Sequence, residues 1–328
     1  VTGYIIRRII NMIIVLIGIS IISFVIIQLP PGDFLTTYIL HLQSAGTAVD
    51  ESLIESLKKY YGLDQPLYIQ YLKWIKNIVF HGEWGRSFEW NKAVSTLIME
   101  RLPMTLVVSI SSLIITYVIA LPIAIYSATH RYSVVDYIAT TIGFIGLSVP
   151  GFLIALILMF VFYNAFGISV GGLFSREMVD APWSFAKFVD LLNHLWVPVI
   201  VLSIGGTAGI IRTLRAMLLD ELNKDYVKVA LSKGFPKWRA ILKYPVRIAI
   251  IPIVSTIGWT LPDIFSGATI ISVVLNLPTT GPLLLQALIS QDMFLAGSFV
   301  LIMAILTVIG TFISDILLMW VDPRVRYE

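Results

Sequence analysis

Asp225-Tyr-Val-Lys-Val-Ala-Leu-Ser-Lys-Gly-Phe-Pro-Lys-Trp-Arg239 is a polar, basic segment set between two apolar runs. Gly234 suits the left-handed position that ends a short helix, and Pro236 suits the opening of the next. Tyr226, Val227, Ala230 and Leu231 recur at helical spacing, so the first short helix carries an apolar face. Its own loop offers nowhere to bury that face, and a partner surface is expected. The plainer alternative is a basic loop that satisfies a membrane charge bias and nothing more.

The apolar runs on either side make the charge bias relevant. Hydrophobic residues form 57% of the chain and charged residues 13%, where soluble domains carry about a quarter charged. The mean hydropathy is +0.87. A soluble domain of 328 residues could bury a core, but it would need more charge for its surface. With no cysteine, disulfides, thiol catalysis and Cys-based zinc sites are excluded.

Six candidate spans follow, about Ile9–Gln28, Met104–Ser127, Tyr137–Phe166, Leu195–Ile211, Val246–Val273 and Leu295–Trp320. Each is near or above the roughly 20 residues a bilayer requires. The third, fifth and sixth are long, so tilt or extension past the bilayer is expected there. The first reads as a retained membrane helix, not a cleaved signal. Arg7, Arg8, Arg131, Arg212, Arg215, Arg324 and Arg326, with the basic residues of 224–247, fall on one side if six helices alternate. The positive-inside rule then makes both termini and the basic loop cytoplasmic. The fold class expected is an all-α integral membrane protein with six transmembrane helices.

The domain plan is a cytoplasmic N-terminus and first helix over 1–29, an extracytoplasmic helical insertion over 30–102, and a membrane core over 103–328. Within the insertion, Asp50–Tyr61 has helical periodicity and Gly62 closes it, while Pro66 starts a second helix through Ile78. A small lid is the expected result, and a mobile loop is its alternative. Gly167–His194 forms a second external excursion. Gly143, Gly146, Gly205, Gly206 and Gly209 have spacings that let helices approach closely.

Asp263, with Trp259 and Pro262 before it, is an ionisable group at membrane depth. It is either functional or a structural carboxylate near an interface. Asn276-Leu-Pro-Thr-Thr-Gly-Pro282 reads as an external turn or gate. His41, His81, His130 and His194 show no metal spacing, and no G-x-x-x-x-G-K-[ST] loop is present. Neither a metal site nor ATP binding by this chain is expected.

Several motifs together resemble the B-type permease subunit of oligopeptide/dipeptide importers, a family of binding-protein-dependent ABC importers. They are Tyr4-Ile-Ile-Arg-Arg8, Pro31-Gly-Asp33, Tyr61-Gly-Leu-Asp-Gln-Pro-Leu67, Gly85-Arg-Ser-Phe88, Glu100-Arg-Leu-Pro-Met-Thr105, Ser148-Val-Pro-Gly151 and Asp322-Pro-Arg-Val-Arg326. The basic loop resembles the family's Glu-Ala-Ala coupling motif. Ala230 and Gly234 keep their places, while Lys228 and Val229 replace the first two motif residues. The resemblance implies a cytoplasmic coupling helix within a loop of about 220–245. Asp225, Tyr226, Lys228, Val229, Ala230, Lys233, Gly234, Phe235 and Pro236 would meet an ATPase chain there. Two departures, Asp263 for a small residue and Ser272 for a common glutamate, place Trp259, Asp263, Ser272 and Asn276 as candidate substrate-pathway residues.

The implied function is that of a permease subunit, not an enzyme. It forms half of a pathway for oligopeptides or oligosaccharides in a bacterial or archaeal cytoplasmic membrane. The implied partners are a second homologous permease, two cytoplasmic ATPases, an extracytoplasmic solute-binding protein and membrane lipid, with no nucleic acid. ATP and Mg would sit on the ATPases, with no cofactor on this chain. The competing class is an ion-coupled secondary transporter, which needs several intramembrane carboxylates. Asp263 and Asp315 are the candidates the sequence offers.

Overall fold

A computed structural model of the chain describes residues 2–28, 55, 59, 64–87, 89–290 and 292–321, with the side chains of 2–5, 257–268, 293 and 321 outside that description. Glu55 and Lys59 are helical, while the rest of the expected helix over Asp50–Tyr61, its Gly62 stop, Pro31–Asp33 and Asp322–Arg326 lie outside the described residues.

Twelve helices are described. The long N-terminal α1 covers Thr2–Gln28, and α2 (Leu67–His81) follows the polar interval. Then come α3 (Val94–Thr129), α4 (Val134–Ser148), α5 (Gly151–Phe166) and α6 (Phe185–Leu222). Three short helices, α7 (Asp225–Ser232), α8 (Lys237–Lys243) and α9 (Pro245–Ala249), lead into α10 (Ile251–Val274). The chain closes with α11 (Thr280–Ile289) and α12 (Met293–Val321). Regular strands are absent among the described residues.

Four described helices are long and apolar enough to cross a bilayer: Ile6–Gln28, Val94–Thr129, Phe185–Leu222 and Phe294–Trp320. Their surfaces support this physically. Ile13, Ile14, Ile17 and Ile21 of α1, and Ile110, Ile114 and Val118 of α3, are exposed. Such rows in water would be an aggregation liability; against lipid or a partner helix they cost little. The expected Leu195–Ile211 span is the middle of a 38-residue helix that carries Pro198 inside it.

The third expected span is corrected. It is two helices, α4 and α5, bent by 102°. Val149 is extended (φ −93°, ψ 124°), as the residue before a proline prefers, and Pro150 stands at the N-cap of α5. Counting that pair as one span brings the described total to five. The expected fifth span also starts later, at Ile251, because Tyr244-Pro245 opens the separate short helix α9.

The chain divides into two compact units, Met104–Gly281 with Ile309–Glu328, and Thr2–Pro103 with Pro282–Val308. In the first unit one apolar cluster gathers Val108, Leu173, Leu195 and Leu275, and another gathers Ala124, Leu214, Leu218 and Ile253. The close packing of α4 on α6 uses Gly146, where a Cβ would come within 2.7 Å of Ile204. Gly206 meets Thr116 in the same way at 3.3 Å, but Gly205 and Gly209 face open space. Their Gly-x-x-x-Gly spacing therefore serves no helix contact among the described residues. Ser203 Oγ, 2.5 Å from Val199 O and 3.0 Å from Ser112 O, ties α6 to α3.

In the second unit Trp74, Val94, Leu295 and Phe299 form the core. The Gly82–Ser87 turn is pinned there: Ser87 Oγ donates to Asp292 Oδ2 at 2.5 Å, and Asp292 Oδ1 accepts from the Leu295 amide at 3.2 Å. Both Ser87 and Asp292 are fully buried.

The excursion after α5 is ordered by a buried cation. Lys187 Nζ donates to Val179 O (3.0 Å) and Ala181 O (2.6 Å) and lies over the rings of Phe174 and Trp183. Asp190 accepts from the Ser175 amide at 2.8 Å.

Candidate functional site

The basic loop folds as a helix–turn–helix. α7 starts with Asp225 in its first turn, where a carboxylate favours the helix dipole. Gly234 takes φ +83°, the left-handed conformation the turn needs. Pro236 is the N-cap residue of α8, one place before its first helical position.

The expectation that the α7 face has nowhere to bury is corrected. Val227 and Ala230 are buried within the chain, and α7 packs on α8. Tyr226 is half-buried and its hydroxyl donates to the Glu221 carboxylate at the end of α6. Burial, then that hydrogen bond to a carboxylate, pushes the Tyr226 phenol above its ordinary value of 10.0. Small Ala230 and short Val227 fit beneath a neighbour as close as α8, so half of the apolar face is satisfied locally.

Four apolar side chains stay exposed: Val229 and Leu231, on different sides of α7, and Trp238 and Leu242, one turn apart on α8. Around them stand Lys228, Lys233, Lys237, Arg239 and Lys243, all exposed. Asp225 answers Lys228 at 2.9 Å, with both side chains in solvent, and this contact holds the carboxyl below its ordinary range. Arg239 lies over Trp238, and Lys243 over Phe235 and Tyr244, whose rings meet edge-on at 6.2 Å. The result is a set of exposed apolar side chains standing among cations. It suits docking to a protein surface with acidic edges.

The candidate pathway residues are not brought together with this loop. Trp259 and Asp263 lie on α10 with side chains outside the described residues. Ser272 is 1% exposed. Asn276 is exposed at φ +51°, heading a turn in which Leu275, Leu277, Thr279 and Thr280 are buried. The turn is held by Gly172 N–H to Leu275 O (2.7 Å) and by Thr105 Oγ1, which accepts from the Thr280 amide at 2.9 Å. The turn is packed into its own unit, with Asn276 at its exposed point.

Sequence reasoning missed three buried charges, Asp136, Lys187 and Asp292. Arg215, counted only toward orientation, grips Asp136 with Nε to Oδ1 at 2.6 Å and Nη2 to Oδ2 at 2.8 Å. Asp136 is 3% exposed and also accepts from the Tyr132 amide. A signal existed: Ser133-x-x-Asp136 before an apolar run is a capping pattern, and Ser133 does accept from the Asp136 amide at 3.2 Å. Lys187 and Asp292, whose contacts are given above, are the others.

Comparison with known proteins extends these observations. Residues 120–327 match the family described as binding-protein-dependent transport system inner membrane component, and residues 1–109 match the corresponding N-terminal region. The chain is 36% identical over 327 residues to the oligopeptide transport system permease protein AppB of Bacillus subtilis, covering 99% of each. It is 34% identical over 312 residues to a putative peptide permease protein of Brucella suis, covering 95% of each. To the probable D,D-dipeptide transport system permease protein DdpB of Escherichia coli it is 27% identical over 329 residues, covering 96% of this chain and 95% of that one.

Proposed function

The chain belongs to the family of binding-protein-dependent transport system inner membrane components, and on that premise we propose that it is the permease subunit of an ATP-driven peptide importer. It spans the membrane six times with both termini cytoplasmic, and it forms half of the pathway beside a second, homologous permease. An extracytoplasmic binding protein delivers the solute, and two cytoplasmic ATPases, which hold ATP and Mg, drive the cycle. No bond in the solute is broken. An ion-coupled secondary transporter is a poor fit to this family.

The observation that supports coupling is the exposure of apolar Val229, Leu231, Trp238 and Leu242 among basic residues. Asp225, Tyr226, Lys228 and Lys233 through Pro236 complete that surface. ATP-driven closure of the ATPases would pull on it. The Tyr226–Glu221 bond and the α7–α8 packing would pass the motion to α6 as a rigid unit. Peptide is preferred over oligosaccharide because the three relatives named above are described as oligopeptide, peptide and D,D-dipeptide permeases.

The test is ATPase activity of the complete reconstituted complex with its binding protein, titrated with a peptide pool and an oligosaccharide pool. Peptides are expected to stimulate hydrolysis. Stimulation by oligosaccharides alone would overturn the solute and leave the importer. Solute uptake by the chain without any ATPase would overturn the importer.

A further inference from the structure

A groove of about 310 Å³ runs between α3, α4 and α6, all within the unit Met104–Gly281 with Ile309–Glu328, in residues that the proposed coupling does not use. α3 lines it with Ile115, Ile119 and Ile123, α6 with Ile200, Ile204 and Ile211, and α4 with the segment from Val135 to Gly143. At about 1.5 Å per residue these rows extend about 12–16 Å along the helices. The polar side chains of the wall are Ser203 and Thr207, and the Ser203 hydroxyl is already engaged with Val199 O and Ser112 O. A peptide or sugar held there would leave its own hydrogen-bonding groups unmet, which is costly. A hydrocarbon chain has none to lose.

The same rows end in a different chemistry. On α3 the row continues at helical spacing from Ile123 to Tyr126 and His130, whose rings stack at 4.3 Å. On α6 it reaches Arg215, four residues past Ile211, which grips Asp136 beside Val135. Arg131, in the turn between α3 and α4, lies over the Tyr132 ring, and Arg212 follows Ile211; both arginines are exposed. Among the described residues neither has a carboxylate partner. Both Asp136 oxygens are taken by Arg215, which uses two of its five donors there. Asp220 and Glu221 lie more than a turn further along α6, and Glu221 accepts from Tyr226. Three arginines therefore stand with one carboxylate at this end of the groove. An aliphatic slot between membrane helices with a basic, aromatic rim has the chemistry of an anionic lipid site. A partner helix could fill the slot but would leave Arg131 and Arg212 unanswered.

We propose that this groove binds an anionic phospholipid, with one acyl chain along α3, α4 and α6 and the phosphate at Arg131, Arg212 and the unengaged donors of Arg215. The inference goes beyond the transport reading and takes from it only that these helices lie in a bilayer.

Thermal unfolding and native mass spectrometry of the detergent-purified full chain, with no ATPase or binding protein present, test it. The probes are dioleoylphosphatidylglycerol, dioleoylphosphatidylcholine and glycerol phosphate. Phosphatidylglycerol should raise the melting temperature saturably and leave one lipid on the ejected chain. Phosphatidylcholine, with the same chains and no net charge, should act about tenfold more weakly, and glycerol phosphate should have no effect. Arg131→Gln and Arg212→Gln should each weaken phosphatidylglycerol about fivefold. Gly143→Leu fills the groove and leaves the charges alone. A Cβ at Gly143 meets nothing closer than Ala208 Cβ at 3.9 Å, so the fold admits a side chain there. Gly143→Leu should abolish the lipid effect, and Gly143→Ala should keep it.

Equal responses to the two lipids, or a response to glycerol phosphate as large as that to phosphatidylglycerol, would overturn the proposal. So would unchanged affinity in the Arg131→Gln, Arg212→Gln double variant, or full lipid binding by Gly143→Leu. A dimer mass that Gly143→Leu abolishes, with no lipid retained, would assign the groove to a helix of a second copy and overturn it too. Because the assay uses neither ATP nor solute, its failure leaves the importer reading standing. Failure of the ATPase assay likewise leaves the lipid result standing.

Discussion

At the residue scale the Asp136–Arg215 pair joins two helices of the first unit through a two-bond ion pair. Asp136 is buried at the start of α4, and both its oxygens accept from one guanidinium on α6. Asp136→Asn is expected to cost about 3 kcal/mol, because Arg215 would lose its counter-charge while still three-quarters covered (25% exposed). Thermal unfolding of the detergent-purified chain measures this. Arg215→Met alone should cost a similar amount, and the double variant less than the sum of the two, because neither charge is then stranded. The pair spans 79 positions, and that explains why it was not legible in the sequence. Charge counting places Arg215 correctly near a helix end, but nothing in a linear pattern says which distant carboxylate it reaches.

At the scale of elements the short helices were legible and their environments were not. Gly234 and Pro236 mark the turn because their backbone preferences are local. Which half of the α7 face would bury depended on α8 folding back on it, a tertiary event the periodicity cannot report. The α4–α5 bend has the same character: Pro150 is visible, but a long apolar run reads alike whether tilted or broken. Tyr226 gives a prediction with a definite sign. Its phenol is raised by burial and by the bond to Glu221, so the neutral form is favoured in the fold. The tie is fully present below the ordinary phenol value near 10.0 and is lost as pH rises beyond it. Tyr226→Phe should lower stability by about 1 kcal/mol. The gap between the melting curves of parent and variant should hold up to that pH and then shrink. Gly281 on α11 gives a second. A Cβ there would lie 2.8 Å from the Thr269 Cα of α10, backbone that cannot swing aside. Gly281→Ala should therefore cost about 1–3 kcal/mol by overpacking, read from the same melting experiment.

For the whole molecule, the exposed surface of the long helices argues for a chain whose solvent is largely lipid. α1 is the clearest case, with only 17% of its most apolar window buried inside the chain. Four spans, or five with the bent pair, are visible among the described residues, and α10 supplies a further apolar helix of 24 residues in the place of the expected fifth span. If α3, the α4–α5 pair, α6 and α10 each cross once, the loop after α5 and the loop after α6 open on opposite sides of the membrane. The absence of cysteine allows a clean test, since any introduced thiol is unique. Ser232→Cys, in the exposed end of α7, should react with a membrane-impermeant maleimide only in inside-out vesicles. Asp180→Cys, exposed in the excursion after α5, should react only in right-side-out vesicles. Labelling of both from the same side would mean that α6 does not cross. Val229, Leu231, Trp238 and Leu242 could then not lie opposite the 167–184 excursion. Labelling in the expected sense places the basic loop on the positive-inside face, where an ATPase would have to meet it.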